Sequence, residues 1–270
     1  MLNYICCIGT KDYTLASRVC RSLHHLWSHA LAHPPHGLPL YVPHDFATLK
    51  QAVERLRTHP AQHTTIVLGR GSHEVEKDTY GLHYLEIPSS MSSSLRLLGH
   101  PAALPSSVVV LGGLQIRRNL HRTVHVQNLT LRQSNGGSGV VGQSAFTMEA
   151  VVVEQCGYGV YATGIAGQGR CTNVDVRHCE KSGVNAVNGG SITLVGAKTT
   201  VHHNCTKGEQ QTYGLYVYGT KSSTIHLVAP LTKEQVSTDN GGGGNWGAGN
   251  GGAVKHIKTI AAVAATSTFK

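Results

Sequence analysis

Leu129-Thr130-Leu131-Arg132, Val151-Val152-Val153-Glu154, Val174-Asp175-Val176-Arg177 and Thr199-Thr200-Val201-His202 are four versions of one short segment. Their third positions, Leu131, Val153, Val176 and Val201, are separated by 22, 23 and 25 residues. Three residues after each comes a small polar residue: Ser134, Cys156, Cys179 and Asn204. A second segment follows each of these: Gly139-Val140-Val141-Gly142, Gly159-Val160-Tyr161-Ala162, Gly183-Val184-Asn185-Ala186 and Gly214-Leu215-Tyr216-Val217. One unit therefore holds at least two strands of three or four residues and two turns. A unit this short cannot bury its apolar face alone, so units must stack and align like residues in rows.

The period predicts the coils of a right-handed parallel β-helix, a mainly β solenoid. The Leu-x-x-Leu-x-Leu pattern of a leucine-rich repeat is missing from the segments, which excludes that alternative. Leu129/Val151/Val174/Thr199, Leu131/Val153/Val176/Val201 and Val140/Val160/Val184/Leu215 are the expected inward rows. Ser134/Cys156/Cys179/Asn204 is the expected internal turn ladder. Thr130/Val152/Asp175/Thr200 and Arg132/Glu154/Arg177/His202 are the expected outward rows, because side chains alternate along a strand.

Outward from this core, the period-two pattern begins near Thr64 with Ile66-Val67-Leu68, Leu85-Glu86-Ile87, Leu95-Arg96-Leu97-Leu98 and Val108-Val109-Val110. Residues 45–58 have helical spacing, with Asp45 as N-cap and Leu49, Ala52, Val53 and Leu56 on one apolar stripe. An amphipathic helix of this length must cover something. Residues 1–33 are also predicted helical, and His33-Pro34-Pro35-His36-Gly37 ends that segment. The expected organisation is a helical segment at 1–33, a linker and cap helix at 34–60, the β-helix at 61–235, and a glycine-rich turn or tail at 236–270. In that tail Lys255-His256-Ile257-Lys258-Thr259-Ile260 is a candidate last strand.

Composition agrees with many short strands and turns. Gly contributes 32 of 270 residues, while Trp, Tyr and Phe are few at 2, 10 and 3. Only 14% of residues are charged, which excludes a charged disordered chain or a long coiled coil. The formal net charge is +9, and the basic residues look scattered apart from Arg117, Arg118, Arg122 and Arg132, so no specific nucleic-acid partner is expected. No run of about 18 apolar residues exists to span a membrane. Seven cysteines without a Cys-x-x-Cys pair and the lack of a signal-peptide pattern predict a cytoplasmic or nuclear protein with reduced thiols.

Few residues carry chemistry. Glu154 and Asp175 would lie one coil and two residues apart, with backbones about 8 Å apart, near the ~6.5–9.5 Å carboxyl spacing of an inverting glycosidase. Arg132, Glu154 and Arg177 alternate in sign up one row, however, and an electrostatic ladder is the simpler reading. Cationic neighbours lower a carboxyl pKa, whereas a general acid needs it raised. Tyr161, Tyr216 and Tyr218 fall on outward positions near Asn185 and Thr163, and this set is the best candidate binding face. His25 and His29 are spaced to share a metal, but a zincin-like His-Glu-x-x-His is absent, and His24, His25, His29, His33 and His36 are read as surface residues. No metal, cofactor or catalytic group is expected.

Two resemblances follow. Asp45-Phe46-Ala47-Thr48-Leu49-Lys50-Gln51-Ala52-Val53, then Ile66-Val67-Leu68-Gly69-Arg70-Gly71, resembles the opening of pectate-lyase-like β-helix proteins, in which an amphipathic helix caps the first coil. That superfamily contains many polysaccharide lyases and hydrolases, so a carbohydrate-active enzyme is the alternative function. The stretch from Ile5 and Ile8 through Leu15, Val19-Cys20-Arg21 and Trp27 is similar to the later helices of an F-box, without the usual leading Leu-Pro helix. This resemblance implies a ubiquitin-ligase substrate receptor that binds a Skp1-type adaptor through Ile5, Leu15, Val19 and Trp27. The β-helix surface would then bind a protein or glycan without catalysis.

Overall fold

The computed structural model describes residues 39–59, 64–77, 81–87, 94–118 and 123–262. The expected helical segment at 1–33, its residues Ile5, Leu15, Val19 and Trp27, and the histidines from His24 to His36 lie outside the described residues.

Each repeat places three strands on three parallel sheets, one more than the two segments that repeat in the sequence. The coil with Phe146–Glu149 continues through Val152–Glu154 and Val160–Thr163. The next coil has Gln168–Thr172, Asp175–Arg177 and Val184–Val187. Among the described residues the corresponding strands form a first sheet of nine strands, a second of seven and a third of seven. Every strand in them pairs in parallel with its equivalent one coil away, as in a parallel β-helix. Leu131, Val153, Val176 and Val201 are register partners, as are Val140, Val160, Val184 and Leu215. All eight are fully buried. The sequence reading missed the first sheet in the repeats, although Val124–Gln127, Phe146–Glu149 and Ser191–Val195 alternate; in Gln168–Thr172 alone, Gly169 and Cys171 interrupt the apolar pattern. There the ring of Phe146 fills the space left by its register partner Gly169.

The corners explain why coils with unlike sequences superpose. After the first-sheet strands come Asn128, Ala150, Asn173 and Gly196, all with positive φ between 50° and 87°. After the second-sheet strands come Gln155, His178, His203 and Asp239, at 53–54°. In these coils one left-handed residue at each of these two corners turns the chain at the same place. Its Cβ penalty of about 1–2 kcal/mol is lowest for Asn, Asp and Gly. A glycine column precedes the third sheet. A Cβ on Gly139 would come 2.4 Å from Val153 Cγ1, on Gly159 2.5 Å from Val176 Cγ1, and on Gly183 2.7 Å from Val201 Cγ1. The chain can approach the valine row this closely only without a side chain.

Three local expectations are corrected. The helix (α1) spans Leu49–Thr58, and its N-cap is Thr48, not Asp45. Thr48 and Gln51 form a reciprocal capping box, while Asp45 accepts the Tyr41 N–H at 2.8 Å. Leu49, Ala52, Val53 and Leu56 are buried against the core, so α1 caps as expected. Leu40–Val42, read as linker, is a strand paired with Thr65–Leu68. Ser134 is exposed and leaves the turn ladder, because the segment from Leu131 to Val140 is two residues longer than that from Val153 to Val160. The ladder instead runs through Cys156, Cys179, Asn204 and Asn240. Asn204 donates to the Val176 carbonyl at 2.9 Å, and Asn240 to that of Val201 at 3.1 Å.

The glycine-rich segment is a further coil. Trp246–Gly249 pairs with Leu215–Tyr218, and Ile257–Ile260 with Thr224–Val228. No helix among the described residues is long and apolar enough to cross a membrane. Gly159→Ala is expected to cost about 1–3 kcal/mol by overpacking. Val176→Asp is expected to abolish the cooperative denaturant transition, because it buries an unpaired charge between two coils. Chemical denaturation followed by circular dichroism checks both.

Candidate functional site

The outward side of the second sheet carries the charged row. Glu154 is only 7% exposed and sits between two guanidinium groups. Oε1 accepts from Arg132 Nε at 3.0 Å and Nη2 at 2.5 Å, and Oε2 from Arg177 Nε at 3.0 Å and Nη2 at 2.9 Å. Burial pushes the Glu154 carboxyl up, but the hydrogen bonds and charges of the two arginines outweigh it and hold the group below its ordinary value. Asp175 accepts from Arg177 Nη1 and the Thr200 hydroxyl, both at 3.0 Å, and lies 3.0 Å from His202 Nε2. These contacts fit the ladder reading. A carboxylate held ionised by two arginines is a poor proton donor at neutral pH, so Glu154 is ill suited to serve as the acid of a glycosidase pair.

The described cysteines pack in the interior. Cys156, Cys171, Cys179 and Cys205 are buried free thiols. Burial pushes Cys171 up to about 12 and Cys205 up to about 11, which leaves them protonated and unreactive at neutral pH.

The outward side of the third sheet gathers the tyrosines. Tyr161, Asn185 and Tyr216 are register partners on three successive coils, and Thr163, Val187 and Tyr218 form the next row. Two further rings join them from the turns before the strands. Tyr158 meets Tyr161 edge-on at 5.8 Å between centroids, and Tyr213 lies 5.1 Å from Tyr216, which is 5.8 Å from Tyr218. The outward positions are as expected, but the rings are less exposed than a surface reading implies. Tyr216 is 8% exposed and Asn185 only 4%.

The glycine-rich coil explains that burial. A Cβ on Gly247 would stand 2.4 Å from the Tyr213 ring, and one on Gly249 2.5 Å from the Tyr216 hydroxyl. Glycines at these two positions let the rings lie down across the following strand. Tyr158 and Tyr213 were missed because they precede the strands. The signal was present as the recurrent pairs Tyr158-Gly159 and Tyr213-Gly214.

Polar groups edge this aromatic cluster. Burial raises the Tyr161 and Tyr216 hydroxyls above their ordinary value, so both stay protonated donors. Asn250 donates to the Tyr218 hydroxyl at 3.2 Å. Lys181 Nζ sits 5.4 Å from the Tyr158 ring centre and 3.7 Å from Glu209. Beneath them the side-chain oxygen of Asn185 is buried with no hydrogen-bond partner, an unusual state for a buried amide. The arrangement is suited to stacking and hydrogen bonding with a neutral polar ligand. Among the described residues no group of three His, Cys, Asp or Glu side chains is placed to hold a metal.

No family model matches the chain, and no curated protein or solved structure matches it. The pectate-lyase-like and F-box resemblances are thus carried only by the residues quoted for them.

Because the folded Glu154 carboxyl lies below its unfolded value, the ladder stabilises fully above about pH 4.5 and loses this contribution as pH falls through the folded value. Glu154→Gln is expected to lower stability by about 1–3 kcal/mol at pH 7, since it leaves two arginines facing each other. The difference from the parent should shrink toward pH 3, as measured by denaturant midpoints at both pH values.

Proposed function

We propose that this chain is a non-catalytic recognition protein of the cytoplasm or nucleus that binds a glycan on its tyrosine face. The observation that carries this reading is the gathering of Tyr158, Tyr161, Tyr213, Tyr216 and Tyr218 onto one side of the solenoid. Rings with polar tips offer an apolar plane for a sugar ring and hydroxyls for its edge. They also lose little side-chain entropy on binding, having few rotatable bonds. The Asn185 oxygen supplies an acceptor that a ligand hydroxyl would satisfy once the amide turns outward. Polysaccharide cleavage at Glu154 and Asp175 is the less favoured function, for the electrostatic reason given above.

The test is binding of the full chain to an array of neutral oligosaccharides. Tyr161→Ala, which removes a half-buried ring without opening the core, is expected to weaken the best binder at least tenfold while leaving the melting temperature within a few degrees. Binding unchanged in both Tyr161→Ala and Tyr218→Ala would overturn the reading.

The Val19-Cys20-Arg21 and Trp27 pattern favours a second, compatible role as substrate receptor of a ubiquitin ligase, with Ile5, Leu15, Val19 and Trp27 contacting a Skp1-type adaptor. Purification of the tagged full chain from a eukaryotic extract is expected to recover that adaptor and a cullin, and Val19→Asp to lose both. Recovery of neither removes the ligase role and leaves the glycan reading untouched.

A further inference from the structure

The outward side of the nine-stranded first sheet differs in chemistry from the tyrosine face. Coil-to-coil register aligns Arg96, His125, Thr147, Arg170, Thr193, His226 and Lys258 in one row. These residues are 22 to 33 positions apart in the chain, so nothing local marks them as a stripe. Neighbouring strands are about 4.8 Å apart. Arg96, Arg170 and Lys258 are therefore three coils apart each, about 14 Å, and the row runs about 29 Å.

The three cations are exposed, and none has an ion-pair partner among the described residues. Several basic side chains elsewhere are neutralised: Arg117 by Glu86, Arg132 and Arg177 by Glu154, Lys207 by Glu180. Glu149 is the one acid on the outward positions of the first sheet's described strands, and Glu234, across a cleft from Lys258, is taken by Lys233 at 3.0 Å. His125 hydrogen-bonds the Thr147 hydroxyl at 2.7 Å. Burial and the adjacent Arg96 and Lys258 hold His125 and His226 below their ordinary values, so at neutral pH the row's charge is that of the three long cations.

We propose that this row binds an extended acidic polypeptide segment. In an extended chain the side chains on one face repeat every ~6.7 Å, so every second one on that face recurs at ~13 Å, close to the spacing of the three cations. The intervening Thr147, Thr193 and imidazoles offer hydrogen bonds to its backbone and carboxylates. Arginine clusters are a recurrent solution to acidic-motif recognition. Among the described residues the one exposed aromatic ring on the sheet is Tyr41, on the first strand, two strands before Arg96. The row thus lacks the stacking platform that bases and sugars use, which favours a peptide over a nucleic acid or glycan.

The test is fluorescence anisotropy of a fluorescein-labelled deca-glutamate peptide titrated with the full chain. Binding is expected at low salt, weakening several-fold as salt is raised through the physiological range. Arg170→Glu is expected to reduce affinity at least tenfold, and the Arg96→Gln/Lys258→Gln double variant to do the same should Arg170→Glu fold poorly. Arg117→Glu removes the same charge from another face and is expected to change affinity less than twofold. Equal loss in Arg117→Glu would reduce the effect to net charge and overturn the site. Tighter binding of a heparin fragment or single-stranded oligonucleotide of matched charge would overturn the choice of ligand, and no binding at low salt would overturn both. Tyr161→Ala should leave peptide binding intact, which separates this site from the glycan face.

Discussion

The contact between the glycine column and the valine row sets the geometry on which the other features depend. Gly139, Gly159 and Gly183 bring the start of each third-sheet strand against Val153, Val176 and Val201, with no room for a Cβ between them. This approach closes each coil over the apolar interior and holds successive coils in one register. Parallel strands are otherwise free to slip, and a slip of one residue would exchange the buried and exposed rows. From Asn128 to Asp239, residues with positive φ at the corners flanking the second sheet return the chain to the same place one coil later.

Once register is held, the outer rows acquire their character from coincidence of position. On the second sheet, Arg132, Glu154 and Arg177 become neighbours and satisfy one another. Burying Glu154 is tolerable because both oxygens accept from guanidinium groups, and the same contacts remove it from acid catalysis. On the third sheet, tyrosines pair ring to ring within their own coils, Tyr158 with Tyr161 and Tyr213 with Tyr216 and Tyr218, on one side of the solenoid, and the glycine-rich coil gives the second group a flat bed. On the first sheet, unpaired cations fall into line. The three sides of one solenoid therefore present a neutralised ladder, an aromatic face and a cationic row.

The parts legible in the sequence were those set by short-range pattern. The repeat of Leu131, Val153, Val176 and Val201 is an inward row, and the stripe of Leu49, Ala52, Val53 and Leu56 is a cap, because burial of an apolar face imposes its period on neighbouring residues. The outward positions of Tyr161, Asn185, Tyr216 and Tyr218 followed from strand alternation. Less legible were elements whose pattern is interrupted. Gly169 and Cys171 concealed a first-sheet strand, and low complexity concealed the coil of Trp246–Gly249. Asp45 lost the N-cap because Thr48 and Gln51 make a reciprocal pair and Asp45 cannot.

By itself the sequence determined the coil length, the inward rows and the alternation that turns particular side chains outward, since each of these depends on residues a few positions apart. Only the tertiary structure decided which outward side chains meet. Turn lengths differ from coil to coil, as the exposed Ser134 and the distant Asn240 illustrate, so neighbours across coils cannot be counted from a fixed period. The burial of Glu154 between two arginines, the Tyr213 ring resting on Gly247, and the alignment of Arg96 with Arg170 and Lys258 all depend on inter-coil hydrogen bonds that fix register across gaps of 22 residues or more.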